Sequence, residues 1–342
     1  MAAEISEHVL KTQRHETFYL ACGPDDGPLV IFCHGWPELS ITWSKQLLAL
    51  GAQGIRAVAP DMRGYGRSTV HPNKDDYSIE ELVRDMIALL DHLGAEKAVW
   101  VGHDLGAPVM WSIAQHHPER CHGMVGVCVP YLPAGLTLEN LVSTVDRTLH
   151  PADQFPNGQW DYIAFYQESF DLATKAFDAD PQSTVHALFR AGEPSVTTMP
   201  SFTASTRARG GWFGPNGAPP PRFPLDTRVL SEDEAQIYAD SLARNGFTGP
   251  DSWYMNLAAN AAYAEKAKAS WMLQMPVLFV HATYDPICAT ANPALVAPMR
   301  ESCADLSEET IEAGHWVAQE KPEALHAAIS AWLQAKLPAT YP

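Results

Sequence analysis

The stretch Val101-Gly-His-Asp-Leu-Gly-Ala107 places one carboxylate between two glycines at a spacing that is typical of a nucleophile. Asp104 stands where serine stands in the Gly-x-Ser-x-Gly pattern, after an apolar run and before a helical segment. Glycines on either side relieve the crowding of a very tight strand-to-helix turn, and the amino end of a helix favours an ionised carboxylate. A carboxylate presented in this way forms a covalent ester with an electrophilic carbon. An aspartate that only caps a helix has the same local sequence, so the motif alone leaves both interpretations open.

The sequence around Trp36 favours the interpretation of Asp104 as a nucleophile over that of a helix cap. Cys33-His-Gly-Trp-Pro37 follows an apolar run at 29–33, which is where enzymes with this kind of turn supply a second oxyanion donor. We therefore predict that the backbone N–H groups of Trp36 and Leu105 form an oxyanion hole.

A histidine and a second aspartate lie near the C-terminus in the order that a catalytic triad needs. Asp285 follows a predicted strand at 276–281, and His315 follows a predicted strand at about 308–313. The order nucleophile, acid, histidine is the chain order of the α/β-hydrolase fold. We expect Asp285 to orient His315.

The elements that must position these residues alternate along the chain. Continuous apolar runs predict buried strands, and residues 79–93 carry apolar side chains at helical spacing. Alternation of this kind predicts an α/β protein, a mostly parallel sheet flanked by helices. The predicted strands are 29–33, 56–60, 98–101, 124–129, 276–281 and 308–313, and a helix is predicted from 321 to 333.

The middle of the chain has a different character. Residues 1–130 and 266–342 are predicted to form the α/β core, and 131–265 a mainly helical cap, or lid, inserted into it. Helices are predicted at 161–190, 231–242 and 250–266, with Ser231 and Glu234 as a capping box. The glycine- and proline-rich stretch 192–225 predicts a long loop.

Composition excludes several classes of function. The chain has 342 residues and a formal net charge of −17, which argues against nucleic acid as a partner. No apolar stretch is long enough to predict a membrane span, and no secretory leader is recognised at the N-terminus. The six cysteines are scattered without metal-type spacing. We expect a cytoplasmic protein with no disulfide, no metal and no cofactor.

As a set, the motifs resemble those of the epoxide hydrolases of the α/β-hydrolase superfamily, especially the soluble ones, and the resemblance covers nearly the whole chain. Its motifs are His34-Gly-Trp-Pro37, Pro60-Asp-Met-Arg-Gly-Tyr-Gly-Arg-Ser68, Gly102-His-Asp-Leu-Gly106, His117-Pro-Glu-Arg120, Asp161-Tyr-Ile-Ala-Phe-Tyr-Gln167, Gly246-Phe-Thr-Gly-Pro-Asp-Ser-Trp-Tyr254, Asp285 and Gly314-His-Trp316.

The resemblance implies a complete mechanism. Asp104 would attack an epoxide carbon and form an alkyl-enzyme ester, while Tyr162 and Tyr254 of the cap protonate the epoxide oxygen. His315, oriented by Asp285, would then activate a water that hydrolyses the ester and releases a vicinal diol. The implied partners are a small apolar epoxide and water, with the chain acting as a monomer or a homodimer.

Two alternatives stay open. A haloalkane or haloacid dehalogenase shares the aspartate nucleophile, but it usually binds the halide with an indole N–H beside that residue. Leu105 cannot donate such a bond, although tryptophan is also common at this position in the epoxide hydrolases. The second alternative is a non-catalytic receptor for a small ligand on the same fold.

Overall fold

The sheet that carries the predicted site has eight strands. The computed structural model describes residues 3–341 of the chain. The strands are β1 (Ser6–Lys11), β2 (Glu16–Cys22), β3 (Leu29–Cys33), β4 (Arg56–Pro60), β5 (Ala98–His103), β6 (Cys121–Val127), β7 (Leu273–Ala282) and β8 (Cys303–Ile311). Their order in the sheet is β1-β2-β4-β3-β5-β6-β7-β8. All pairs from β4 to β8 are parallel. This confirms the predicted α/β class.

The predicted strands are confirmed because they are buried runs. Every residue of β3 and β5 is buried, as expected for central strands of a parallel sheet covered on both faces. The predictions for 29–33 and 56–60 match the observed bounds, and the four later strands are present with ends shifted by a few residues.

The N-terminal pair β1 and β2 was not predicted. The two strands pair antiparallel, and β2 pairs antiparallel with β4. Leu10 is the only buried residue of β1, so this edge strand lacks the apolar run by which the others are recognised.

Helices occupy the connections between the strands. They are α1 (Ser44–Gly51), α2 (Ile79–His92), α3 (Gly106–His116), α4 (Leu138–Ser143), α5 (Asp161–Asp178), α6 (Pro181–Leu188), α7 (Glu232–Asn245), α8 (Thr248–Ser252), α9 (Leu257–Lys266), α10 (Pro293–Ser302), α11 (Val317–Glu320) and α12 (Pro322–Lys336). Helices α4 to α9 all lie in the long connection between β6 and β7, which we call the helical insertion.

Two helices were predicted as continuous in this insertion, and both predictions are wrong because each helix is interrupted. The helix predicted over 161–190 is two helices, because Pro181 begins α6 and the Asp180 side chain caps it by accepting from the Ser183 N–H. The helix predicted over 250–266 is interrupted between α8 and α9. The Ser231 capping box of α7 is confirmed.

The segment 192–225 contains two short 3₁₀ turns and no α-helix or strand. Hydrogen bonds fix it to the rest of the insertion. The Thr203 hydroxyl donates to the Gln159 carbonyl at 2.7 Å, and the Arg207 N–H donates to Asp161 Oδ2 at 2.8 Å. The loop therefore has a defined course beside the site.

Candidate active site

The turn between β5 and α3 presents Asp104 in a conformation that few side chains adopt. The φ angle of Asp104 is +46°. A Cβ on Gly102 would lie 2.7 Å from the Ala107 Cα, and one on Gly106 would lie 2.2 Å from the Cys33 carbonyl oxygen. Both positions therefore require glycine, which is the steric reason for the spacing seen in the sequence.

The loop after β3 makes direct contact with the carboxylate of Asp104. The Trp36 N–H donates to Asp104 Oδ1 at 2.7 Å. A Cβ on Gly35 would lie 2.4 Å from the Asp104 Cβ, so this loop can approach closely only because residue 35 is glycine. Leu105, the other predicted oxyanion donor, directly precedes α3 and is half-buried.

His315 lies between the two predicted acids. Its Nδ1 is 2.7 Å from Asp285 Oδ2, and its Nε2 is 3.5 Å from Asp104 Oδ2. The second oxygen of Asp285 accepts the N–H groups of Ile287 at 2.8 Å and Cys288 at 2.9 Å. Asp285 follows β7 and His315 follows β8, so adjacent strand ends bring the pair together.

Burial and charge act in opposite directions on this pair. Burial tends to raise the pKa of Asp285, but the neighbouring His315 and the hydrogen bonds that the carboxylate accepts hold this pKa below its usual value. Burial tends to lower the pKa of His315, but Asp285 and Asp104 raise it well above its ordinary value. The two neighbouring carboxylates thus favour the protonated form of His315.

Two tyrosines of the helical insertion face the same place. Tyr162 on α5 and Tyr254 after α8 are both buried, with ring centroids 5.6 Å apart in an edge-on arrangement. Burial, and also the charge of Asp104, raises the pKa of each phenol well above its ordinary value. Both hydroxyls therefore keep their protons at neutral pH.

Two cavities meet at these residues. A cavity of about 440 Å³ and a smaller one of about 50 Å³ share Asp104, Tyr162 and Tyr254 in their walls. The larger cavity also contains His315 and the aromatic side chains of the 192–225 loop, and Leu105 lines the smaller one. The walls are predominantly apolar, as in most small-molecule sites.

The structure also contains a buried pair that the sequence reasoning missed. Glu38 accepts the Gly35 N–H at 2.8 Å and lies 2.7 Å from His103 Nδ1. His103 Nε2 lies 2.8 Å from the His315 carbonyl oxygen. Glu38 and His103 therefore connect the Trp36 loop with the backbone of His315. Glu38 directly follows one recognised motif and His103 lies within another, which was the available signal, but the two residues are 65 positions apart in the chain.

Groups with the chemistry of metal ligands also cluster here. Ligand atoms of His103, Cys128 and His315 lie within 4.8 Å of one another, as do those of Asp285, Cys288 and His315. Hydrogen bonds to protein groups already occupy both nitrogens of His103 and the Nδ1 of His315. These bonds account for the approach of the side chains. All six cysteines are buried.

Comparison with known proteins gives a consistent result. The model of the alpha/beta hydrolase fold family matches residues 28–322. Epoxide hydrolase A of Mycobacterium tuberculosis is 30% identical over 335 residues, covering 96% of this chain and 97% of that protein. The bifunctional epoxide hydrolase 2 of Sus scrofa is also 30% identical, over 90% of this chain, but the chain spans only about half (52%) of that longer relative.

Solved structures agree with these sequence matches. Epoxide hydrolase A from Mycobacterium thermoresistibile superposes with a TM-score of 0.80 at 30% identity, covering 97% of this chain and 98% of that one. An epoxide hydrolase from Vigna radiata superposes with a TM-score of 0.75 at 26% identity, again covering 97% of this chain and 98% of that one. Among residues 3–341, no helix is long and apolar enough to cross a membrane.

Proposed function

Because this chain belongs to the α/β-hydrolase fold family, and within it to the epoxide hydrolases, we propose that it adds water to an epoxide to give a vicinal diol. The observation that carries the proposal is the meeting of one strained carboxylate, Asp104, with two protonated phenols, Tyr162 and Tyr254, in the walls of the same cavities. An epoxide needs both a nucleophile at carbon and an acid at oxygen.

The first step opens the ring. Oδ2 of Asp104 attacks one epoxide carbon, the carbon–oxygen bond breaks, and the departing oxygen takes a proton from Tyr162 or Tyr254. The product is a neutral ester with a hydroxyl on the neighbouring carbon. General acid help of this kind contributes about 10²–10⁴-fold to a rate.

The second step hydrolyses the ester. Esterification removes the charge of Asp104, which is one of the causes that hold the pKa of His315 high. The imidazolium can then give up its proton, which restores the phenol that lost one in the first step, and the neutral imidazole acts as a base toward water, with Asp285 still orienting it. Water gives one proton to His315 and attacks the ester carbon, and the Trp36 N–H stabilises the negative charge that develops on Oδ1. The bond from this carbon to Oδ2 then breaks, the diol oxygen takes the second proton of the water, and the Asp104 carboxylate and protonated His315 are restored. The Leu105 N–H completes the proposed oxyanion hole.

The dehalogenase alternative receives little support from the side chains at the site. The side chain of Leu105 offers no donor for a halide, and the Trp36 indole N–H already donates to Asp251 at 2.9 Å. A phenol that donates a proton suits an epoxide oxygen, which must be protonated on leaving, better than it suits a halide.

The proposed substrate is a small apolar epoxide, since the walls of both cavities are mainly apolar. The helical cap, taken as residues 131–265, is part of the proposal, because it contributes both tyrosines. The cytoplasmic location and the monomer or homodimer remain predictions from the sequence.

The test is diol formation from styrene oxide, a lipophilic aryl epoxide, by the wild type and by Asp104→Ala. We expect diol from the wild type alone, because the variant cannot form the ester. Equal diol production by both proteins would rule out Asp104 as the nucleophile. If neither forms diol across a panel of aryl and alkyl epoxides, while the wild type releases halide from haloalkanes, the dehalogenase alternative replaces the proposal.

A further inference from the structure

Asp251 on α8 is a fully buried carboxyl group to which the proposed mechanism gives no role. Its Oδ1 accepts the Trp36 indole N–H at 2.9 Å and the Tyr166 hydroxyl at 3.1 Å. Its Oδ2 lies 3.2 Å from the Thr174 hydroxyl. All three partners are neutral, so Asp251 is held by hydrogen bonds without an ion pair.

The hydrogen bond from the Trp36 indole connects Asp251 with the residue that supplies the proposed oxyanion donor. The same residue donates its backbone N–H to Asp104 Oδ1 at 2.7 Å. Its indole ring packs between aromatic side chains of the insertion, 5.6 Å from Trp212 and 5.2 Å from Phe177 between centroids. Fixing the far end of the indole therefore fixes the orientation of the residue whose N–H contacts the nucleophile.

The hydrogen bond from Tyr166 connects Asp251 with the proposed proton donors, Tyr162 and Tyr254. The Tyr166 ring is stacked on Tyr254, with centroids 4.6 Å apart and planes 6° from parallel. Tyr166 also follows Tyr162 by one turn of α5. Because its hydroxyl is bonded to Asp251, the stacked ring cannot rotate freely, and the ring of Tyr254 has a fixed surface to lie against.

The third partner lies beyond a kink in the same helix. Ser169 has φ −145° and ψ 44°, which interrupts the helical conformation of α5. Tyr166 lies before this kink and Thr174 after it, so one carboxyl group connects the two segments of α5 with the Trp36 loop.

We propose that Asp251 is a positioning residue that fixes the oxyanion donor of Trp36 and the proton-donating Tyr254 relative to each other across the boundary between the sheet core and the helical insertion. This inference rests on the proposed function, because it assigns Asp251 an effect on the two steps of epoxide hydrolysis.

Asparagine is a conservative replacement for Asp251, because the carboxyl group is mainly protonated at neutral pH. Burial raises its pKa to about 8, in spite of the opposing hydrogen bonds from Trp36, Tyr166 and Thr174. At neutral pH the neutral acid is the major form, and asparagine is its close mimic. In Asp251→Asn the amide oxygen retains the bonds from Trp36 and Tyr166, and the amide N–H₂ donates to the Thr174 hydroxyl.

The experiment compares Asp251→Asn with Asp251→Leu, which has similar volume but no acceptor. Excess enzyme is mixed with styrene oxide and quenched in acid, and the alkyl-enzyme is followed by mass spectrometry as it forms and decays. We expect Asp251→Asn to stay within about threefold of the wild type in both steps. We expect Asp251→Leu to slow ester formation, ester hydrolysis or both by about 10- to 100-fold, as misplacement of reacting groups does.

Asp178→Ala is the control for an effect of lower stability alone on the two rates. The Asp178 carboxylate accepts the Phe247 N–H at 2.9 Å, one turn before Asp251, and contacts neither Trp36 nor Tyr166 through a hydrogen bond. This variant should have a lower melting temperature but unchanged rates of the two steps. If Asp251→Leu also keeps both rates once its folding is verified, Asp251 has only a structural role and the inference is overturned.

Two variants that each remove one hydrogen-bond donor to Asp251 test the inference even if Asp251→Leu does not fold. Trp36→Phe removes the indole N–H and keeps the backbone donor, and we expect it to slow mainly ester hydrolysis. Tyr166→Phe removes one hydroxyl, and we expect it to slow mainly ester formation, through Tyr254. Wild-type rates in both variants would overturn the inference and leave the proposed function intact. A wild type that forms neither alkyl-enzyme nor diol from any of a panel of aryl and alkyl epoxides would instead overturn the proposed function.

Discussion

The backbone N–H of Trp36 lies 2.7 Å from Oδ1 of Asp104, while the other oxygen of this carboxylate lies 3.5 Å from Nε2 of His315. The two oxygens of one carboxylate thus have different surroundings. In the proposed mechanism Oδ2 is the attacking atom, and Oδ1 becomes the carbonyl oxygen of the ester, already beside its oxyanion donor. Little rearrangement is then needed between the two steps, which is the advantage of a preorganised site.

This distinction predicts where the oxygen atoms go. Water attacks the ester carbon, so the diol leaves with an oxygen of Asp104, and the water oxygen remains in the carboxylate. With excess enzyme in ¹⁸O-labelled water, the first turnover should give unlabelled diol and a heavier peptide containing Asp104. Mass spectrometry of both products measures this. Direct addition of water to the epoxide would label the diol in the first turnover, and this result would contradict the ester mechanism.

Removal of the base should separate the two steps. In His315→Gln the ester still forms, but no imidazole activates water, so we expect a stable adduct heavier than the protein by the mass of the epoxide. Intact-protein mass spectrometry detects this adduct. His281→Gln is a matched control, because His281 is also buried but is bonded to Thr290 and Glu308. Normal turnover by His315→Gln, without an adduct, would remove His315 from the mechanism.

The structure shows which features of the fold the sequence could predict. Strands β3 and β4 were predicted with the observed bounds because β3 is a short apolar run soon followed by Gly35 and Pro37, and β4 is one that ends at Pro60. Strand β1 was missed because its residues are mostly exposed at the edge of the sheet. The break before Pro181 was missed because aromatic and apolar side chains continue on both sides of it.

Prediction of the site followed a similar division. Asp104, His315 and Asp285 lie in local motifs at the ends of strands, so their residue types and order were enough to predict that they lie together, as the structure shows. Asp251 lies within the recognised motif at 246–254, but nothing local indicated its contacts, because its partners Trp36 and Tyr166 are 215 and 85 residues away in the chain. The role of a buried carboxyl group held by neutral donors can be recognised only from the structure, in which the insertion packs on the core.

The two tyrosines should act on ester formation and not on ester hydrolysis. Tyr162→Phe and Tyr254→Phe each remove one of two proton donors, so we expect each to slow ester formation, and the double variant to slow it by about 10²–10⁴-fold. Single-turnover kinetics measures both steps. Tyr263→Phe is the control, since the Tyr263 ring stacks on His116 and does not line either of the two cavities that contain Asp104. A double variant with unchanged ester formation would contradict the acid role.

Glu38 should make the stability of the protein depend on pH in the acid range. Burial tends to raise its pKa, but the neighbouring His103 and the hydrogen bonds that the carboxylate accepts lower it to about 2, against an ordinary value of 4.5. A group with a lowered folded-state pKa stabilises the protein fully above its unfolded-state value, and this stabilisation is lost as the pH falls through the folded-state value. The window for Glu38 therefore runs from about pH 4.5 down to about pH 2.

Glu38→Gln tests this, because the amide cannot ionise. We expect the variant to have a lower free energy of unfolding than the wild type at pH 7, and the difference to shrink as the pH falls from 4.5 toward 2. Urea unfolding at a series of pH values measures the difference. Glu119→Gln, an exposed position, controls for the loss of one negative charge. A difference between wild type and Glu38→Gln that stays constant from pH 7 to pH 2 would show that Glu38 is not held ionised by its buried contacts.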